Sequence, residues 1–247
     1  TAGTYPLTIT AQNGVLPNAT QNFTLTVNPA ASGPITLRQK NVNGNESATS
    51  NMSVTFASNN TAGNFLIVTG TAARPAGTIT VSDTLGNTYS TAFGPVTDPA
   101  QDVTMYVWYV PVCKGGANTV TITPSGGSSA LEIHVSEWSG IATVSPVDQT
   151  IFATGTGTSV SSGARNTTVN GELIFGYSWV FNNASAGAGF TSLSLVNGDL
   201  DEYQVQSAAG SVAATFTQAS GIWFAAMVTF KPLSAAPPAI TSLNNTI

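Results

Sequence analysis

Thr119-Val120-Thr121-Ile122-Thr123 alternates polar and apolar side chains residue by residue. Alternation of period two places every second side chain on one face of an extended strand. The same pattern recurs at Thr24-Leu25-Thr26-Val27, Met52-Ser53-Val54-Thr55-Phe56 and Thr78-Ile79-Thr80-Val81. Between such runs lie turn signals: Asn13-Gly14, Gly86-Asn87, Gly115-Gly116, Gly126-Gly127 and Asn197-Gly198. Nowhere does an apolar period of 3.6 run ten residues. Short strands separated by glycine and asparagine turns predict an all-β, antiparallel jelly-roll-like β-sandwich.

Charged residues make up only 7% of the 247, so the polar surface must be built from Thr, Ser, Asn and Gln. Six Lys and Arg are scattered along a chain of net charge −5. No basic patch forms, so nucleic acid and anionic membranes are not expected partners. No apolar run of about 20 residues is present, so membrane insertion is not expected either. The start of the chain shows no charged, apolar and cleavage pattern. Cys113 is the single cysteine, which excludes an intrachain disulfide. Following the apolar run 105–110, it reads as an inert, partly buried thiol. The many Asn-x-Ser/Thr triplets follow from composition.

Catalytic signals are weak. The one histidine, His134, has no Gly-x-Ser-x-Gly elbow to serve. Asp199 and Asp201 follow the Asn197-Gly198 turn and face one side of their strand. They are the candidate calcium ligands, against a solvated turn as the alternative. No other cofactor is expected. The aromatic residues give the clearest constellation. Alternation sets Leu131, Ile133 and Val135 on one face and Glu132, His134, Ser136 and Trp138 on the other. Tyr106 and Trp108 lie opposite Met105, Val107 and Tyr109, and Trp223 lies opposite Phe224. Sharing one sheet, Tyr106, Trp108, Trp138 and Trp223 would gather beside His134 and Glu132 on an outer face. Flat rings with polar neighbours suit polysaccharide. The competing expectation is a second core layer covered by loops. Trp179 shares its face with Leu173, Phe175 and Tyr177 and reads as core.

Gly3-Thr4-Tyr5-Pro6-Leu7-Thr8-Ile9-Thr10-Ala11-Gln12-Asn13-Gly14 and Ala19-Thr20-Gln21-Asn22-Phe23-Thr24-Leu25-Thr26-Val27 resemble the last two strands of the immunoglobulin-like, cadherin-like repeats found in tandem in bacterial surface proteins. Pro238-Ala239-Ile240-Thr241-Ser242-Leu243 resembles the first strand of a following repeat. Asn60-Thr61-Ala62-Gly63-Asn64-Phe65-Leu66-Ile67-Val68, Val81-Ser82-Asp83-Thr84-Leu85-Gly86-Asn87-Thr88-Tyr89, Glu137-Trp138-Ser139-Gly140 and Gly171-Glu172-Leu173-Ile174-Phe175-Gly176 resemble jelly-roll-like modules inserted in such proteins. The resemblance implies a setting and a fold and carries no catalytic residue.

Pro-rich joints at 27–34 and 231–238 divide the chain. The expected organisation is a terminal immunoglobulin-like hairpin at 1–29, a jelly-roll-like sandwich at 30–232, and a linker with the first strand of another immunoglobulin-like domain at 233–247. The expected function is a non-catalytic structural or adhesive module of an extracellular surface protein. A carbohydrate-binding module is the alternative. The expected partners are other domains of the same protein or neighbouring copies joined by strand addition.

Overall fold

The computed structural model describes residues 3–12, 14–27, 33–75, 77–233 and 240–246. Asn13 and most of the two joints, 28–32 and 234–238, lie outside the described residues. The described residues form antiparallel strands and no helix. They divide into two units, one made of 34–232 and the other of the two chain ends.

The small unit is one sheet. Strand β1 (Gly3–Ala11) pairs with β2 (Ala19–Val27), and β2 pairs on its other side with β21 (Ile240–Thr246). The expected hairpin is present, with strands that part at Ala11 and Ala19. The first and third expected domains are therefore one sheet, completed across the whole intervening body.

The body is a duplication. Its first half holds β3 (Thr36–Thr49), β4 (Met52–Thr55), β5 (Phe65–Ala73), β6 (Ile79–Asp83), β7 (Ser90–Asp98), β8 (Val103–Val110), β9 (Thr119–Pro124) and β10 (Ser129–Ser139). Its second half holds β11 (Val147–Thr156), β12 (Ser159–Ser161), β13 (Arg165–Asn166), β14 (Glu172–Val180), β15 (Ser185–Ala186), β16 (Thr191–Val196), β17 (Asp199–Gln206), β18 (Ser211–Val212), β19 (Thr215–Thr217) and β20 (Ile222–Phe230). The first half forms a five-stranded sheet, β3-β10-β5-β8-β7, and a three-stranded one, β4-β9-β6. The second half repeats this order with β11-β20-β14-β17-β16 and β12-β19-β15, and adds the small pair β13-β18. Each half has the nested strand order of a jelly roll, with its fifth strand carried over to the larger sheet. Where the sequence predicts one jelly roll, the chain builds two.

The halves stack with the five-stranded sheets inside, giving layers of three, five, five and three strands. Three apolar cores lie between the layers. Leu66, Val68, Trp108, Ile122 and Ile133 fill the first outer core. Ile174, Phe216, Ala225 and Met227 fill the other. The central seam joins Phe65, Ile67, Met105 and Trp138 of the first half to Phe175, Tyr177, Phe224 and Phe230 of the second. Both faces of the central strands are thus buried, which explains β5 and β8, mostly apolar and buried almost throughout. Glycine marks the centre of both sheets. A Cβ on Gly70 would stand 2.6 Å from the Trp108 ring, and one on Gly176 would stand 2.7 Å from Ala214 Cβ.

Candidate functional site

The aromatic residues expected on one outer face are parted by the register. Gly70 on β5 stands opposite Tyr106 of β8 on one side and Ile133 of β10 on the other. Tyr106 and Trp108 therefore fall on the face of Ile133, not that of His134. They stack on each other at 4.7 Å within the first outer core. Trp138 lies on the opposite face, in the seam, edge-on to Tyr203 at 4.9 Å. Trp223 packs against the second half's outer core. Trp108 and Trp138 are buried, as is Tyr106, and Trp223 is partly buried. No stacking platform can form from residues held in three separate layers. The covered second layer is what the structure shows.

Within the seam, the alternating face of β10 delivers Glu132 and His134 to β14 and β17. His134 Nδ1 lies 3.2 Å from Asp201 Oδ2. Neither ring nitrogen has an aligned hydrogen-bond partner among the described residues. The contact is close but not aligned as a directed hydrogen bond. Thr69 Oγ1 donates to both Asp201 oxygens, at 3.3 and 3.2 Å. The Tyr177 ring lies edge-on to the imidazole at 5.3 Å, and its hydroxyl stands 2.7 Å from Thr71 Oγ1 and 3.5 Å from Glu132 Oε2. Asn197, in the β16–β17 turn, donates through Nδ2 to Glu132 Oε1 at 2.9 Å.

Burial and proximity set the charges. Burial pushes the Asp199 carboxyl well above its ordinary range, and the neighbouring Glu132 pushes it further. Burial pulls the His134 imidazole down, but Asp201 and then Glu132 outweigh it, so its pKa is raised. Burial drives the Tyr177 phenol up, reinforced by Asp199 and Glu132. Asp199 and Asp201 do face one side as expected. They are engaged separately, however: Val180 N–H donates to Asp199 at 2.7 Å, while Asp201 holds His134 and Thr69. Among the described residues no three His, Cys, Asp or Glu side chains converge as a metal set. Calcium takes about six to eight oxygens, which these two carboxylates, turned to different partners, do not gather.

Other buried acids act as pins. Glu137 accepts from Gln39, Asn60, Thr61 N–H and Asn64 at 2.5–2.9 Å. Burial opposes its charge, but these donors outweigh it and lower its pKa. Among the described residues Glu202 accepts from Gly187 N–H and Thr215 N–H, and burial lifts it to about 8. Cys113 is buried with its thiol pushed up to about 11, first by burial and then by Glu137. That matches the inert thiol read from the sequence.

A groove of about 220 Å³ opens where the halves meet. Glu46, Arg74 and Gln101 of the first half line it with Trp179, Val180, Phe181 and Asn197 of the second. Sequence reasoning assigned Trp179 to the core, and its ring does pack against the seam while remaining partly exposed. Phe181, just beyond β14, is 73% exposed. Its place outside a strand was the one signal that could have singled it out.

The fold and this site define a duplicated all-β sandwich whose apolar seam holds one buried polar cluster. No family model, curated protein or solved structure matches the chain.

Proposed function

We propose that the chain is a non-catalytic structural and adhesive module of an extracellular, multidomain surface protein. The observation that carries this reading is the pairing of β2 with β21, which makes the body an insertion between two strands of one sheet. The ends of the body support the same reading. Ile141 bridges to Pro232, and Lys231 N–H donates to Pro146 O at 2.8 Å, so the exit strand is tied to the link between the halves. Ile35, at the start of the body, shares the seam with Phe230 at its end. Chain that enters and leaves at one place is what insertion into a host domain requires.

The small sheet supplies the contacts to further domains. Tyr5, Leu7 and Ile9 of β1 are 40%, 42% and 59% exposed. They stand opposite Leu25, Phe23 and Gln21. An exposed apolar strand face in a three-stranded sheet suits packing by a second sheet, and β1 and β21, the outer strands of the described sheet, suit strand addition.

The test is surface labelling. An antibody raised against residues 34–232 should label intact cells that produce the full-length protein. Labelling only after lysis would overturn the reading.

A further inference from the structure

We propose that the groove between the two halves binds a single acidic pyranose unit, a uronate within a polysaccharide. This gives the adhesive reading above a ligand and rests on that reading only for its setting.

The lining carries the argument. Trp179 and Phe181 bring two aromatic side chains to the lining, and rings of this kind stack on the apolar faces of a pyranose. Glu46, Arg74, Gln101 and Asn197 surround them with charged and amide groups. An apolar lipid would leave those groups unpaired, whereas a sugar satisfies them through its hydroxyls. About 220 Å³ is below the roughly 300 Å³ at which drug-sized pockets begin. One ring fits, with the neighbouring units running out along the open groove.

Arg74 makes the sugar acidic. Among the described residues no carboxylate pairs with its guanidinium, whose five donors match a carboxylate in two-point fashion. Its backbone is fixed: φ is 51°, and its N–H donates to Asp102 O at 2.9 Å. Asn197 is fixed too, because Nδ2 is committed to Glu132, which leaves its Oδ1 as an acceptor for a hydroxyl. A side chain already held, as that of Asn197 is, loses little freedom on binding. Glu46 shares the lining, so the groove holds one charge of each sign, and a carboxylate must seat at the Arg74 side, while charges more than about 8–10 Å away are screened in physiological salt.

The experiment is calorimetric titration of the purified chain with short oligomers of galacturonate, glucuronate and mannuronate, and with cellotetraose as the neutral counterpart. At least one uronate oligomer should bind, with cellotetraose weaker by about tenfold. Arg74→Gln and Phe181→Ala alter exposed side chains, so both should melt as the parent does and each should weaken uronate binding about tenfold. Three outcomes would overturn the proposal: no binding of any uronate up to about 10 mM, binding that survives both substitutions, or equal binding of cellotetraose. Because the titration uses purified protein, its failure leaves the surface-labelling result standing, and the reverse also holds.

Discussion

His134 Nδ1 lies 3.2 Å from Asp201 Oδ2, and the two residues belong to different halves of the body. The pair thus ties two jelly rolls across a seam that is otherwise largely apolar. Removing one partner of a buried pair costs about 3–5 kcal/mol, because the other charge is left uncompensated. Asp201→Asn and His134→Gln should each destabilise the body on that scale. The double variant should cost less than the sum by at least about 1 kcal/mol. Urea denaturation of the four proteins measures this cycle, and strict additivity would show that the two groups do not interact.

The halves should not fold apart. Residues 34–139 alone would expose Phe65, Ile67, Met105, Val107 and Trp138, together with Glu132 and His134. That fragment should bind hydrophobic dyes and melt without a cooperative transition. Residues 34–232 should melt cooperatively. A sharp, dye-free transition for 34–139 would contradict the seam's role.

Stability should fall as the solution becomes alkaline. Glu202 has a folded pKa of about 8 against an ordinary 4.5. The folded state therefore holds a proton that the unfolded state releases, and stability is lost as pH rises through that window. His134 and Asp199, both raised, act in the same direction. Glu137 and Asp83 are lowered, so their contribution is present above the ordinary carboxylate range and lost as pH falls through their depressed values. The thermal midpoint should peak on the acid side of neutrality and drop by roughly 5 °C or more toward pH 9. Glu202→Gln should lower the peak, because an amide accepts from only one of the two N–H donors. It should also flatten the slope between the two pKa values. An unchanged slope in calorimetry would refute this assignment.

Gly176 is a packing requirement rather than a turn. A methyl there would press on Ala214 Cβ at 2.7 Å, Glu202 Cγ at 3.0 Å and Phe216 Cζ at 3.1 Å. Gly176→Ala should cost about 1–3 kcal/mol through overpacking. A Cβ on Gly126 meets nothing within 4 Å, so Gly126→Ala should stay within about 0.5 kcal/mol. Equal urea midpoints for the two variants would remove the close-packing account.

Alternation along single strands was legible in the sequence. It separates Leu131, Ile133 and Val135 from Glu132, His134 and Trp138, and the structure puts these sets into different cores. It also places Trp179 against the seam. What alternation cannot supply is which face of one strand joins which face of the next. That depends on register, and the pairing at Gly70 sends Tyr106 and Trp108 away from Trp138. The duplication was hidden for a related reason. The halves share strand order, but equivalent positions carry different chemistry: Gly70 stands opposite Tyr106, and Gly176 opposite Glu202. The groove was missed because its six polar and aromatic residues come from separate turns and strand ends that only stacking of the halves brings together.

In the small sheet β1 and β21 flank β2 and run parallel to each other. Gly3 is level with Val27, itself opposite Ile240, whereas Thr246 is level with Asn22. A pull applied through residues 3 and 246 thus acts at opposite ends of the sheet. The hydrogen bonds between its strands are loaded sideways and together, rather than one after another. The body between β2 and β21 is a closed loop off this line of force. Stretching the chain between residues 3 and 246 would load the hydrogen bonds of the three strands before the seam, because the pairing of β2 with β21 closes off the segment between them.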